Sequence, residues 1–247
     1  MTALARAELL KLRTTRAWLG YVPALAVITG IGAAAQLGSA RDLELSGPEF
    51  SRELLMSSLA ASLIAYLVGI TAVTSEWRYG TITRTFLVTP RRERVLVAKG
   101  VAVFLAGAAL SVLAIAVVLA VAVPWLSVEG SSFQLDGGVV ERLGQLVLAA
   151  ALWGAFGAGV GALIQNQTAA VALGLVWVLV VEALLGALLG LVDLEAIADF
   201  QPGFALSALV GDLEDGLSPR AGGAVALGWV LVLGALGYVR MNRRDVT

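Results

Sequence analysis

The stretch EWRYGTITRTFLVTPRRERVLVAK, residues 76–99, carries six Lys and Arg side chains. It lies between two runs apolar enough to sit in a membrane. Elsewhere the chain is greasy: of 247 residues, 59% are apolar and only 14% are charged, with a mean hydropathy of +0.88. A soluble domain would carry roughly 25% charged residues. The composition predicts an integral membrane protein, and the charged island must then lie at one membrane surface.

The composition also excludes chemistry. There is no Cys, so there is no disulfide, thiolate nucleophile or Cys-ligated metal. There is no His, which removes the usual general base and the His-based zinc motifs. The net charge of −1 carries no signal for nucleic acid, and no nucleic-acid partner is expected.

A helix needs roughly 20 mainly apolar residues to cross the hydrocarbon core. Six segments qualify, at residues 17–37, 54–74, 98–125, 143–164, 168–191 and 221–239. Their continuous apolar runs lack the alternation of barrel strands, so helices are expected. The third run is long, which implies tilt or an extension past the bilayer. Gln165-Asn166-Gln167 predicts a tight polar turn between the fourth and fifth spans. The first span has a basic leader and the small residues Gly38-Ser39-Ala40, as a signal peptide does. Its apolar core of about 20 residues exceeds the usual 7–15, so retention as an anchor is the expectation.

Orientation is read from Lys and Arg near the span ends. Thirteen of the seventeen fall on one side: Arg6, Lys11, Arg13, Arg16, Arg78, Arg84, Arg91, Arg92, Arg94, Lys99, Arg240, Arg243 and Arg244. Arg41, Arg52, Arg142 and Arg220 fall on the other. Both termini and the island are therefore expected in the cytoplasm, with the protein multi-pass in the cell (inner) membrane. The acidic residues Asp193, Glu195, Asp199, Asp212, Glu214 and Asp215 fall in the last outer loop.

Within the island, Trp77 and Tyr79 suit the headgroup level, and Gly80 permits a sharp redirection. Ile82, Thr85 and Phe86 recur at helical spacing, with Arg84 between them. This predicts a short amphipathic helix over residues 81–88 that crosses the end of the bundle. Thr89-Pro90 reads as a helix restart, followed by Arg91, Arg92, Glu93 and Arg94. A basic loop can simply set orientation and touch anionic lipid. A punctuated helix with an apolar face can also dock into a groove on a soluble partner.

The island resembles the cytoplasmic loop of type-2 ABC transporter permeases. The matching residues are Glu76, Gly80-Thr81, Thr89-Pro90, Arg91 and Ala98-Lys99. AELLKLRTTR, residues 7–16, is similar to that family's N-terminal segment, and Arg240-Met241-Asn242-Arg243-Arg244-Asp245 to its short basic tail. The resemblance spans the chain in topology and about 45 residues in motif. It implies one transmembrane domain over residues 1–247, with an interfacial helix over 1–16 and a coupling loop over 75–97. It implies a dimer of permeases, the second an identical or homologous chain, on two ATPase subunits. Glu76, Arg78, Tyr79, Gly80, Thr81, Ile82, Arg84, Thr85, Phe86 and Arg91 would then form the ATPase-coupling set. The residues themselves are less tidy at the N-terminus, where Leu4, Leu9, Leu10 and Leu12 spread around the helix.

The chain carries no Gly-x-x-x-x-Gly-Lys-Ser/Thr loop to cradle phosphates. It is expected to bind no cofactor and to be no enzyme by itself, with ATP and Mg on the partner ATPase. The function implied is export of a hydrophobic or amphiphilic substrate such as a drug, antibiotic or lipid. The alternatives are a non-transporting scaffold or immunity-type protein and an intramembrane enzyme. The absence of His, Cys and paired intramembrane carboxylates opposes the last.

Glu182 is the acidic residue set deep in a span, fourteen residues beyond Thr168, or about 21 Å along a helix. It either lines a substrate or proton pathway or serves as a structural hydrogen-bonding group. The segment over residues 193–220 contains Ala196-Ile197-Ala198 and a run from Phe204 to Val210, too short to span and too apolar for a plain loop. It predicts re-entrant or interfacial helices, with Phe204 a candidate for the same pathway. Gly154/Ala158, Gly157/Gly161 and Gly186/Gly190 are small-residue pairs that suit helix packing within the chain.

Overall fold

A computed structural model describes residues 2–40, 47–211 and 216–243. Arg41, Asp212, Glu214, Asp215, Arg244 and Asp245, which enter the expectation of sidedness or of a basic tail, lie outside the described residues. Every regular element among the described residues is helical. In chain order, α1 (Thr2–Thr14) precedes α2 (Trp18–Ser39). α3 (Pro48–Leu55), a tighter 3-10 turn at Met56–Leu59 and α4 (Ala60–Arg78) make one continuous rod. α5 (Ile82–Val88), α6 (Arg92–Val128) and α7 (Gly137–Ile164) follow. α8 (Gln167–Val176), a π-helical turn (Trp177–Val181) and α9 (Glu182–Gly190) make a second composite rod, and the chain ends in α10 (Glu195–Ala198), α11 (Pro202–Leu209) and α12 (Pro219–Arg243).

Six of these rods are long and apolar enough to cross a membrane, matching the six expected spans. The second is longer than its apolar run because Pro48 occupies the first turn of an added helix, α3, where a proline costs no hydrogen bond. α6, with 37 residues, is about 55 Å long at ~1.5 Å per residue. It overshoots a ~30 Å hydrocarbon core, and the excess carries Arg92 and Arg94.

α7 is the hub. In its most apolar stretch 67% of residues are buried, against 11% for Gln167–Gly190, so the hub is set by neighbours rather than by hydropathy. It packs on α4, α6 and α12. Hydrophobic transfer gives helices little reason to associate in lipid; close van der Waals contact does. A Cβ on Gly69 of α4 would strike the carbonyl of Gly154, and one on Gly157 would strike the carbonyl of Tyr66. The glycine pairs on α7 therefore serve packing within the chain. Tyr66, Trp153 and Phe156 fill the adjoining space, with ring centroids 5.3 to 5.6 Å apart.

Polar side chains close the connections. Asp136 accepts the Val139 N–H at 2.6 Å and caps α7. Gln165 takes a left-handed φ of 57°, and Asn166 accepts the Ala169 N–H at 3.0 Å, completing the tight turn expected there. α1, the end of α4, α5, the start of α6 and the end of α12 gather at one end of the bundle, which also holds most of the basic residues. At the other end Arg52 pairs with Asp136 at 3.3 Å.

The predicted restart differs. Thr89 has φ −129° and ψ 87°, and α6 begins only at Arg92. Pro90 excludes the residue before it from helical backbone, so residues 89–91 form an extended link instead of a capped first turn.

Candidate functional site

The basic end of the bundle is organised by four charges from three helices. Glu8 and Lys11 lie one turn apart on α1, Glu76 sits in the last turn of α4, and Lys99 lies two turns into α6. Lys99 Nζ donates to Glu8 Oε2 at 2.6 Å and to Glu76 Oε1 at 2.7 Å. Lys11 Nζ donates to Glu8 Oε1 at 2.6 Å and to Glu76 Oε1 at 2.9 Å. Signs alternate around the ring, so each carboxylate meets two ammonium groups and the net charge is zero. Lys99 is 2% exposed and Glu76 7%. Charges so buried persist only when paired, because desolvation costs several kcal/mol per ion. Burial works against the Lys11 ammonium, but hydrogen bonds and charge from Glu8 and Glu76 outweigh it and hold its pKa above the ordinary value.

The ring explains the poor amphipathicity of α1. Its most buried described side chain is Glu8, not a leucine, while Leu10 stands 61% exposed. Glu8, Lys11 and Lys99 complete the site but are absent from the predicted coupling set. The signal for them was an acid and a base three residues apart on α1 and a lysine inside an apolar run.

Of the predicted coupling residues, Glu76 and Thr85 meet directly: the Thr85 hydroxyl donates to Glu76 Oε2 at 3.3 Å. Arg78 donates to Gln167 Oε1 at 3.2 Å and stacks on Tyr79, 5.6 Å from its ring centre. Gly80 turns the chain at φ 66°, a left-handed value that favours glycine. Thr81 flanks α5, and its side chain makes no capping bond. α5 begins one residue later than the spacing predicts and ends at Val88 as expected.

Its apolar face is turned the opposite way from a docking face. Ile82 is 3% exposed, and Phe86 packs on a cluster that includes Val73, Val103 and Met241. The Arg92 guanidinium covers the Phe86 ring at 4.8 Å and donates to the Met241 carbonyl. The outward face carries Leu87 and Val88, which are 78% and 84% exposed. Ile82 and Phe86 therefore mount the helix on its own bundle, Arg84 borders the same cavity as Arg16, Trp18 and Tyr21, and Leu87 and Val88 are left for solvent or a partner. Arg91 is exposed in the extended link.

The second predicted pair also comes together. Glu182, 2% exposed, accepts the Gly203 N–H on Oε2 at 2.6 Å. Gly203 lies in the first turn of α11, so the carboxylate caps that helix where its dipole is positive. A Cβ on Gly203 would collide with the same oxygen. One turn along α9, a Cβ on Gly186 would meet the Phe204 ring at 2.8 Å. The expected outer helices are thus α10 and α11, and α11 is clamped between α9 and α12. Of the two roles open to Glu182, the geometry supplies the structural one.

Among the described residues no group of three or more acidic side chains could hold a metal ion. Compared with known proteins, the chain matches no family model and no curated protein.

Proposed function

We propose that the chain is the permease subunit of an ATP-driven exporter of the type-2 ABC class. ATP and Mg would be bound by two separate ATPase subunits at the basic, cytoplasmic end. The observation that carries this reading is the mounting of α5. A seven-residue helix is anchored on its inner face by Ile82 and Phe86, tied by Thr85 to a buried charge ring, and left with Leu87 and Val88 facing out. A loop that only set orientation would need neither the anchor nor the ring. Such a knob can be gripped from outside, and its displacement passes through Glu76 to α1, α4 and α6 together. Packed helices then shift by hinge or shear to alternate access.

The sidedness is supported by the positive-inside bias. A second permease copy would be seated against the poorly covered rods α2, α8–α9 or α12. The sparse fixed charge of the spans favours a hydrophobic or amphiphilic substrate. The test is to purify the tagged chain with a candidate ATPase and measure ATP hydrolysis in lipid. Leu87→Asp with Val88→Asp should abolish the association while leaving the permease monodisperse, because both side chains are exposed. An intact, equally active complex would sink the reading, and no stimulated hydrolysis with any ATPase would favour a scaffold.

A further inference from the structure

Beside the charge ring a cavity of about 760 Å³ opens between α1, α2, α4 and α6. That volume falls within the roughly 300–1,000 Å³ of small-molecule sites. Its inner wall is apolar, from Val68, Ala72, Ala102 and Val103, with Trp18 and Tyr21 along one side. Arg16 and Arg84 also line it. Among the described residues its acidic lining is Glu8 and Glu76, and both are spent on Lys11 and Lys99. Arg16 and Arg84 make no ion pair with any described residue. The cavity thus joins an unbalanced double positive charge to a greasy wall.

The aromatic side chains fix its depth. The Trp18 indole N–H donates to the Leu12 carbonyl at 2.5 Å, and the Tyr21 hydroxyl lies 3.3 Å from Thr71 Oγ1. Trp and Tyr settle at the headgroup level of a bilayer. A cavity at that level, basic at one part and apolar at another, matches an anionic phospholipid: a phosphate needs charge-assisted donors, and the glycerol and first acyl carbons need apolar contact.

The geometry points to a binding site for one anionic phospholipid, with its phosphate on Arg16 and Arg84 and its chains leaving along Tyr21, Val68 and Ala72. The bound lipid would hold α1 against the bundle beside the ring. The site requires only that the bundle lies in a bilayer, so it stands or falls apart from the transport reading.

The full chain is placed in phosphatidylcholine nanodiscs with increasing phosphatidylglycerol, and retained lipid is counted by native mass spectrometry. Wild type should keep one phosphatidylglycerol in preference to phosphatidylcholine. Arg16→Gln with Arg84→Gln should weaken retention about thirtyfold, from two lost surface cations. Arg16→Lys with Arg84→Lys should keep most of it and guards against misfolding. Ala72→Phe, which fills the wall and keeps both arginines, should also expel the lipid. Equal retention of both lipids, or an unchanged count in the glutamine variant, would overturn the site. Displacement of the lipid by millimolar glycerol phosphate or inorganic phosphate would overturn it too, by assigning a free-anion site.

Discussion

Lys99 Nζ lies 2.7 Å from Glu76 Oε1, and the lysine is 2% exposed. The pair ties the start of α6 to the end of α4, the two helices that flank α5. Removing the lysine leaves Glu8 and Glu76 with Lys11 alone. Lys99→Met should therefore cost about 3–5 kcal/mol, as for other buried pairs stripped of one partner. Glu8→Gln with Lys99→Met restores the charge balance and should cost clearly less than the sum of the single changes. Thermal unfolding in detergent by size-exclusion chromatography measures both. Additive losses would mean the four charges do not act as one ring.

Lys11 sets how this ring responds to pH. Its pKa is held above the ordinary 10.5 by Glu8 and Glu76 against the opposing effect of burial. A raised pKa contributes stability fully below the unfolded value and loses it as pH rises through the folded one. The α1 tether should thus persist through neutral pH and release only above 10.5. Trp18 bonds to the Leu12 carbonyl, so its fluorescence follows α1. Wild type should show an alkaline step that Lys11→Gln lacks; the same step in both proteins would place its origin elsewhere.

The six spans were legible because each is a long apolar run, and run length is a local property. The short helix was legible from Gly80 and the Thr-Pro pair, which punctuate the chain. Which way that helix faces was not. Ile82 and Phe86 read as an apolar face in either arrangement, and only packing on distant residues such as Ala158 and Met241 shows that the face turns inward. The ring was hidden for the same reason. Glu8 and Lys99 are 91 residues apart, so their pairing leaves no periodic trace. On α1 a buried glutamate even counts against an amphipathic reading. Glu182 stood out as a charge in an apolar run, but its partner is a backbone N–H 21 residues on, which side-chain patterns do not encode.

Glu182 and Gly203 make a separable test away from the charge ring. The Glu182 carboxylate caps α11, and Gly203 is small enough to let it approach. Gly203→Ala should push the carboxylate off the N–H and cost about 1–3 kcal/mol for the buried group left unpaired. Glu182→Gln keeps an acceptor oxygen and should cost less. Unfolding temperatures of the two variants decide the order. If Glu182→Gln instead left stability unchanged and abolished substrate-stimulated ATP hydrolysis with a partner ATPase, the residue would belong to the pathway and not to the helix cap.

Gly69 carries the mechanical link between the hub and the basic end. It lies on α4, ten residues before Tyr79, and a Cβ there would strike the Gly154 carbonyl and come within 2.8 Å of the Ala158 nitrogen on α7. Both obstacles are backbone, which cannot rotate away, so Gly69→Ala must separate α4 from α7. Overpacking of this kind costs about 1–3 kcal/mol, and moving α4 also moves Glu76 relative to Lys99 on α6. The variant should lower the unfolding temperature and blunt the further loss caused by Lys99→Met, because the ring is already loosened. Gly100, on α6 beside the ring, is open: a Cβ there would meet nothing within 4 Å, so Gly100→Ala should leave both readouts near wild type. Equal effects from the two alanines would show that the cost comes from glycine loss in general and not from the α4–α7 contact.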